Sequence, residues 1–240
     1  MHGLVFSGSG SGGGGEAVTT SYSPNGGGDA TLGTPNASGY RTISGTGLDG
    51  LTLWDPGSSI SGINDDGSRF RFTKVAISGG QFPFGSWQYL GNDKGAILIL
   101  GQPGAFSSAI EATISATSST STSNRAGVGI WQPYPDSVAR NNSAGTVVYG
   151  QASSINANAF DDGVTVATAA TGPALPATVR TEFNYNDSGT FRTAEIDFKY
   201  AGASFKTFEG TPYSGSSWLG LAFDTIVAST WDVTALSVTA

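Results

Sequence analysis

Glu195-Ile196-Asp197-Phe198-Lys199 is the stretch of this chain best suited to chemistry. Alternate side chains of a β-strand share a face, so Glu195 and Asp197 point the same way. Two carboxyl groups about 5–5.5 Å apart can cleave a glycosidic bond with retention, one as nucleophile and one as general acid. The next position on that face is Lys199, and Tyr200 points to the other side. A half-exposed strand whose opposite charges neutralise one another accounts for the same pattern. Carboxylates also gather at Asp65-Asp66-Gly67 and Asp161-Asp162-Gly163. Calcium takes about six to eight oxygens from converging loops, which makes Asp65, Asp66, Asp161 and Asp162 candidate ligands. Asp-Asp-Gly is equally an ordinary turn signature.

Aromatic residues supply the candidate binding surfaces. Trp131-Gln132-Pro133-Tyr134-Pro135 leaves a predicted strand into a proline-stiffened loop, where Trp131 and Tyr134 would offer ring faces to the C–H surface of a sugar. Trp87 and Tyr89 form a second pair. Burial at a sandwich edge or at a subunit contact is the competing explanation for both. The single histidine, His2, lies in the N-terminal tail and there is no cysteine, which argues against a serine triad, a histidine-based zinc site, a disulfide or thiolate chemistry. Gly8 to Gly15 contains Gly-x-Gly spacings, but no strand precedes them and no helix follows, so a phosphate cradle lacks its context.

The elements that must position these residues are strands. From Val179 onward the sequence alternates with period two, broken at Asn186-Asp187-Ser188-Gly189 and at Ala201-Gly202-Ala203-Ser204. It continues through Ser217–Phe223 and Ser229–Val238, where the switch of parity from Ala235 to Leu236 predicts a bulge. Upstream, strands are expected over 48–54, 69–78, 95–100, 106–116, 125–131, 146–152 and 163–168. Ala96–Leu100 is apolar on both faces, which places it centrally. Phe106, Ile110, Ala112, Ile114 and Ala116 are expected to face inward, as are Ala126, Val128 and Ile130. Gln81–Trp87 reads as a bend with buried aromatics, and no window shows a helical apolar period.

Composition bounds the function. The chain has 240 residues, 38% hydrophobic and 11% aromatic, enough for one large β domain with an arm. Only 12% are charged, about half the usual share, so the surface must be Ser, Thr, Asn and Gly. The net charge of −7 and scattered Lys and Arg argue against nucleic acid as a partner. No run approaches the ~18 apolar residues of a membrane span. Met1–Phe6 lacks a basic n-region and a useful h-region, so no secretory signal is expected, and any exit from a cell would take another route, such as release inside a particle at lysis. Ser7–Gly15 has flexible-linker composition, and Leu4, Val5 and Phe6 form an apolar plug on that tether. Residues 1–47 are therefore expected to be an irregular Gly-rich anchoring arm and 48–240 the sandwich.

From Ala105 to the end, the order of these pieces resembles the concanavalin A-like lectin/glucanase superfamily, of the laminin-G-like jelly-roll type. The resemblance runs through Ala109–Ile114, Ala126–Trp131, Val179–Phe183, Ile196–Phe198, Gly202–Phe205, Leu219–Phe223 and Trp231–Val238. It implies an all-β fold of two antiparallel sheets with one concave face, and a possible calcium ion. In the superfamily's glucanases a strand carries Glu-x-Asp-x-Glu. Lys199 departs from that pattern and removes one of the two glutamates the mechanism needs. The glycine tether and Ser/Thr/Gly-rich body are also similar in style to tailed-phage virion proteins. The reading that follows is a non-enzymatic structural virion protein without a required cofactor. Its arm would contact other virion proteins, its sandwich would bind host-surface glycan, and it would form a homo-oligomer, for which a projecting spike suits a trimer. A free carbohydrate-binding module is the alternative, with a glycoside hydrolase ranked last.

Overall fold

The computed structural model describes residues 17–76, 95–118, 125–133, 143–149, 154–161, 164–171, 175–187, 189, 192–213, 215, 217–224 and 228–240. Leu4, Val5, Phe6, Trp87, Tyr89, Tyr134 and Asp162 lie outside them. The strands in chain order begin with β1 (Thr19–Tyr22), β2 (Gly28–Asp29), β3 (Thr31–Leu32), β4 (Tyr40–Ser44), β5 (Thr52–Trp54) and β6 (Ile60–Asp65). Next come β7 (Phe70–Lys74), β8 (Gly95–Gly101), β9 (Ser107–Ser118), β10 (Arg125–Trp131), β11 (Ser143–Tyr149) and β12 (Ser154–Asp161). The series ends with β13 (Val164–Thr171), β14 (Ala177–Tyr185), β15 (Arg192–Tyr200), β16 (Ala203–Tyr213), β17 (Trp218–Asp224) and β18 (Ser229–Thr239).

These strands form two antiparallel sheets packed as a jelly-roll sandwich. The first runs β16-β15-β14-β9-β18-β7-β6-β2, with β1 also paired to β18. The second runs β13-β12-β11-β10-β17-β8-β5-β4-β3. Ile110, Ile114, Val179, Phe183, Ile196, Phe198, Trp231 and Val233 from the first sheet meet Leu98, Val128, Ile130, Leu219, Leu221 and Phe223 from the second. Each large side chain removed from water contributes about 1.5–3 kcal/mol, which is what holds the two layers face to face. One polar stitch crosses this core: Thr181 Oγ1 of β14 donates to the Val128 carbonyl of β10 at 2.7 Å and accepts from the Thr146 amide of β11 at 2.9 Å.

Local chemistry explains the turns and kinks. The β15–β16 hairpin closes through Ala201 and Gly202, both at positive φ, as a tight two-residue hairpin turn requires. The register of β18 against β9 shifts between Val233 and Ala235, so inward positions change from Trp231 and Val233 to Leu236 and Val238. The bulge expected from the parity switch is there. β8 pairs with both β17 and β5 and is buried on both faces, as its sequence predicts.

Three expectations need correction. Residues 19–44, assigned to an arm outside the sandwich, supply four strands, and Ile43 is in the core, so the boundary at 47/48 cuts through the sheets. Gly and Ser dilute the alternation there, and β1 and β2 find their pairing on β18 and β6, while β3 and β4 pair locally. Phe106 precedes β9 and is 71% exposed, because the alternation that places Ile110 inside starts only at Ser107. β6 and β12 form strands where turns and loop were expected. No helix among the described residues is long and apolar enough to cross a membrane.

Candidate functional site

The two sheets present outer faces of opposite character. On the first, the positions between core residues are polar and knit together. Glu182 of β14 lies opposite Asp197 of β15 in register. Lys199 Nζ donates to Glu182 Oε2 at 2.6 Å and lies 3.4 Å from Asp197 Oδ2. Arg180 Nε donates to Glu182 Oε1 at 2.6 Å, and its NH1 lies 3.8 Å from Glu111 on β9. Burial pushes the Glu182 carboxyl up, but Lys199 and Arg180 outweigh it and hold it below the usual carboxylate range. Glu182 in turn holds Lys199 above the ordinary lysine value. A general acid at neutral pH needs the reverse, a carboxyl kept protonated. Lys199 thus fills the gap between facing carboxylates, as the local-neutralisation reading expects. Glu195 lies exposed beyond this clamp, opposite Glu209 of β16. Farther along the face, Asp232 is gripped by Arg71 through two bonds of 2.8 and 3.0 Å and by Arg69 at 3.1 Å.

The outer face of the second sheet is apolar and aromatic and largely buried: Trp54, Ile97, Ile99, Trp131, Val147 and Ala222 form a second core cluster there. Register aligns Tyr40, Trp54, Ile97, Ala222, Gly127 and Val147 in one row across β4, β5, β8, β17, β10 and β11. The adjoining row is Thr52, Ile99, Gly220, Gly129 and Gly145. Three neighbouring glycines leave a side-chain-free bed, and the Trp131 indole lies across it. A Cβ at Gly145 would overlap the indole ring, and the indole Nε1 donates to the Gly220 carbonyl at 2.8 Å. Trp131 is 0% exposed, so it cannot present the stacking face expected of it. The sequence did contain the signal: a glycine inside each of three strand-like runs marks close approach to another group.

Packed against this cluster at separate points are the side chains still partly open to solvent, Tyr40, Trp218 and Tyr149. The Tyr40 hydroxyl accepts from the Trp218 indole, a bond that opposes the upward push of burial on its pKa. The Trp54 indole Nε1 is buried and has no hydrogen-bond partner among the described residues. Arg125 sits over the Tyr149 ring at 5.7 Å. What stays open of this otherwise buried cluster is part of the Tyr40, Trp218 and Tyr149 rings with their N–H and O–H groups. The β4 and β5 aromatics escaped sequence reasoning because their strands are short and lay in or beside the segment assigned to the arm.

Of the candidate calcium ligands, Asp65 and Asp66 are otherwise employed. Asp65 is 1% exposed, and its oxygens accept the backbone N–H groups of Asn25, Gly26, Gly47 and Gly67 at 2.9–3.1 Å. Burial raises its pKa, but those four donors outweigh it and hold the carboxyl below the ordinary range. A carboxylate so surrounded by donors is a knot for three chain segments and not an open calcium ligand. Asp66 accepts from the Ser68 and Arg69 amides and the Arg69 side chain. Asp161 closes β12. Among the described residues no group of three or more His, Cys, Asp or Glu is placed to hold a metal ion.

No family model matches the chain. No curated protein matches it either. Among solved structures it is similar to alginate lyase A1-II′, at 14% identity over 88% of this chain and 93% of that one, with a TM-score of 0.49. It is similar to the carbohydrate recognition domain of Emp46p in its potassium-bound form, at 12% identity over 78% and 87%, with a TM-score of 0.44. A human SPRY domain matches at 11% identity over 72% and 94%, with a TM-score of 0.37. Similarity at this level assigns neither an activity nor a ligand.

Proposed function

We propose that this chain is a non-enzymatic binding and structural protein, a lectin-like sandwich that holds glycan on the outer face of its second sheet. Its setting in this reading is a virus particle of the tailed-phage kind, as a spike, fibre or capsid-decorating component. The observation that carries the binding role is the set of partly open rings of Tyr40, Trp218 and Tyr149 at the margins of the buried aromatic cluster, with the Trp54 indole N–H left without a partner inside it. Ring faces take the C–H side of a sugar, and a rigid sheet keeps the ordering cost of binding low. The clamped state of Glu182 between Lys199 and Arg180 supports a role without acid catalysis. The particle setting rests on the sparse charge and on the Ser7–Gly15 tether with its Leu4-Val5-Phe6 plug.

The test is a glycan array probed with the full chain and with Trp218→Ala. Retention of a defined glycan set, reduced at least about tenfold in the variant and without release of reducing or unsaturated ends, supports the reading. Retention of no glycan at millimolar concentrations, or product release, overturns it. For the particle setting, the measurement is mass spectrometry of purified virions. Finding the chain only in the free fraction refutes it.

A further inference from the structure

The C-terminal strand has an edge that a short, weakly held segment covers. β7 pairs β18 only over Ser229–Val233, and beyond that point the edge of β18 is lined by β1 alone. An uncovered strand edge is a template for another strand, so this one must be occupied. The occupant is held lightly. Thr19, Thr20 and Ser21 are exposed, and Tyr22 alone packs against the core, partly buried, with its hydroxyl reaching the Leu100 carbonyl at 3.4 Å. The attachment otherwise consists of the strand ladder, the Val18 and Ala240 amide–carbonyl exchange at 3.0 and 3.1 Å, and the Thr19 and Thr239 hydroxyls 2.8 Å apart. Firm anchorage begins just afterwards. The Ser23 carbonyl packs against Gly47, where a Cβ would collide with it, and Asp65 binds the Asn25 and Gly26 amides. A hinge between Tyr22 and Ser23 would let β1 leave, and the Tyr22 of an incoming β1 would refill the place vacated against the core.

A second observation lies at the same corner. Val18 and Phe106 are 68% and 71% exposed, the largest exposures of big apolar side chains among the described residues. Val18 pairs with Ala240, and Ala109 pairs with Thr239, which puts the residues leading into β9 beside that pairing. Large apolar groups flanking a replaceable strand are what a neighbouring molecule would cover.

We propose that β1 is an exchangeable strand, and that two copies of this chain associate by laying the β1 of one on the β18 edge of the other, with Val18 and Phe106 covered at the contact. The partner is a second copy because its segment carries the sequence and register already seen at this edge, so each hydrogen bond lost within one chain is remade between chains. This inference concerns assembly and stands apart from glycan binding.

The test uses the absence of cysteine from the chain. Val18 and Ala240 exchange both hydrogen bonds, so Thr19 and Thr239 form the closer, non-bonded kind of pair, with Cα atoms about 4.5 Å apart, within disulfide reach. Full-length Thr19→Cys and Thr239→Cys proteins are mixed, unfolded, refolded together at about 100 μM and oxidised gently. Exchange predicts a mixed disulfide dimer at least about fivefold above either homodimer, reduced when Phe106→Ser is added to both chains. A mixed dimer no more abundant than the homodimers overturns the proposal. The Thr19→Cys/Thr239→Cys double variant closing as a monomer under the same conditions would show that the ladder forms within one chain only.

Discussion

Replacing Asp65 by Ala removes one buried carboxylate and leaves the four backbone N–H groups it serves without an acceptor. A hydrogen bond to a charged group contributes roughly 1.5–3 kcal/mol, so four at the low end give about 6 kcal/mol. The backbone around Asn25, Gly26 and Gly67 lies near the surface, and water can replace part of that. The expected loss is about 3–4 kcal/mol at pH 7. Because the folded carboxyl is held below its ordinary pKa, its contribution is complete above the unfolded value near 4. It disappears as pH falls through the lower folded value. Urea denaturation of parent and variant at pH 7, 5, 4 and 3 should therefore show a constant gap at the first two and a narrowing one below. A gap under about 1 kcal/mol at pH 7, or one that persists unchanged at pH 3, would refute the assignment of Asp65 as an ionised knot.

Other outcomes follow from the two outer faces. Gly145→Ala drives a methyl group into the Trp131 ring and toward the Val128 carbonyl and should cost about 2–3 kcal/mol in chemical denaturation. Lys199→Ala leaves Glu182 facing Asp197 with Arg180 as its remaining cation. The Glu182 carboxyl should then titrate at higher pH by carbon-13 NMR, with a stability change within about 1 kcal/mol, as expected for a partly exposed ion pair. An unchanged Glu182 titration would show that Lys199 is not its principal partner.

Sheet class, central β8 and the β18 bulge were legible because each is written in local alternation: burying one face of a strand forces period two, and a parity switch forces an extra residue. The inward face of β10, Ala126, Val128 and Ile130, followed for the same reason. Tertiary structure decided the rest. How closely the Trp131 indole lies against its sheet depends on Gly220, Gly129 and Gly145, residues from three strands brought level only by register. Whether Asp65 is a metal ligand or a knot depends on amides about 40 residues upstream. The membership of residues 19–44 in the sheets depends on edges supplied by β5, β6 and β18. Local patterning selects the conformation of a strand. Pairing partners, and with them the seating of an aromatic ring or the employment of a carboxylate, are set by contacts between residues far apart in sequence, whose hydrogen bonds exist only once both sheets have closed.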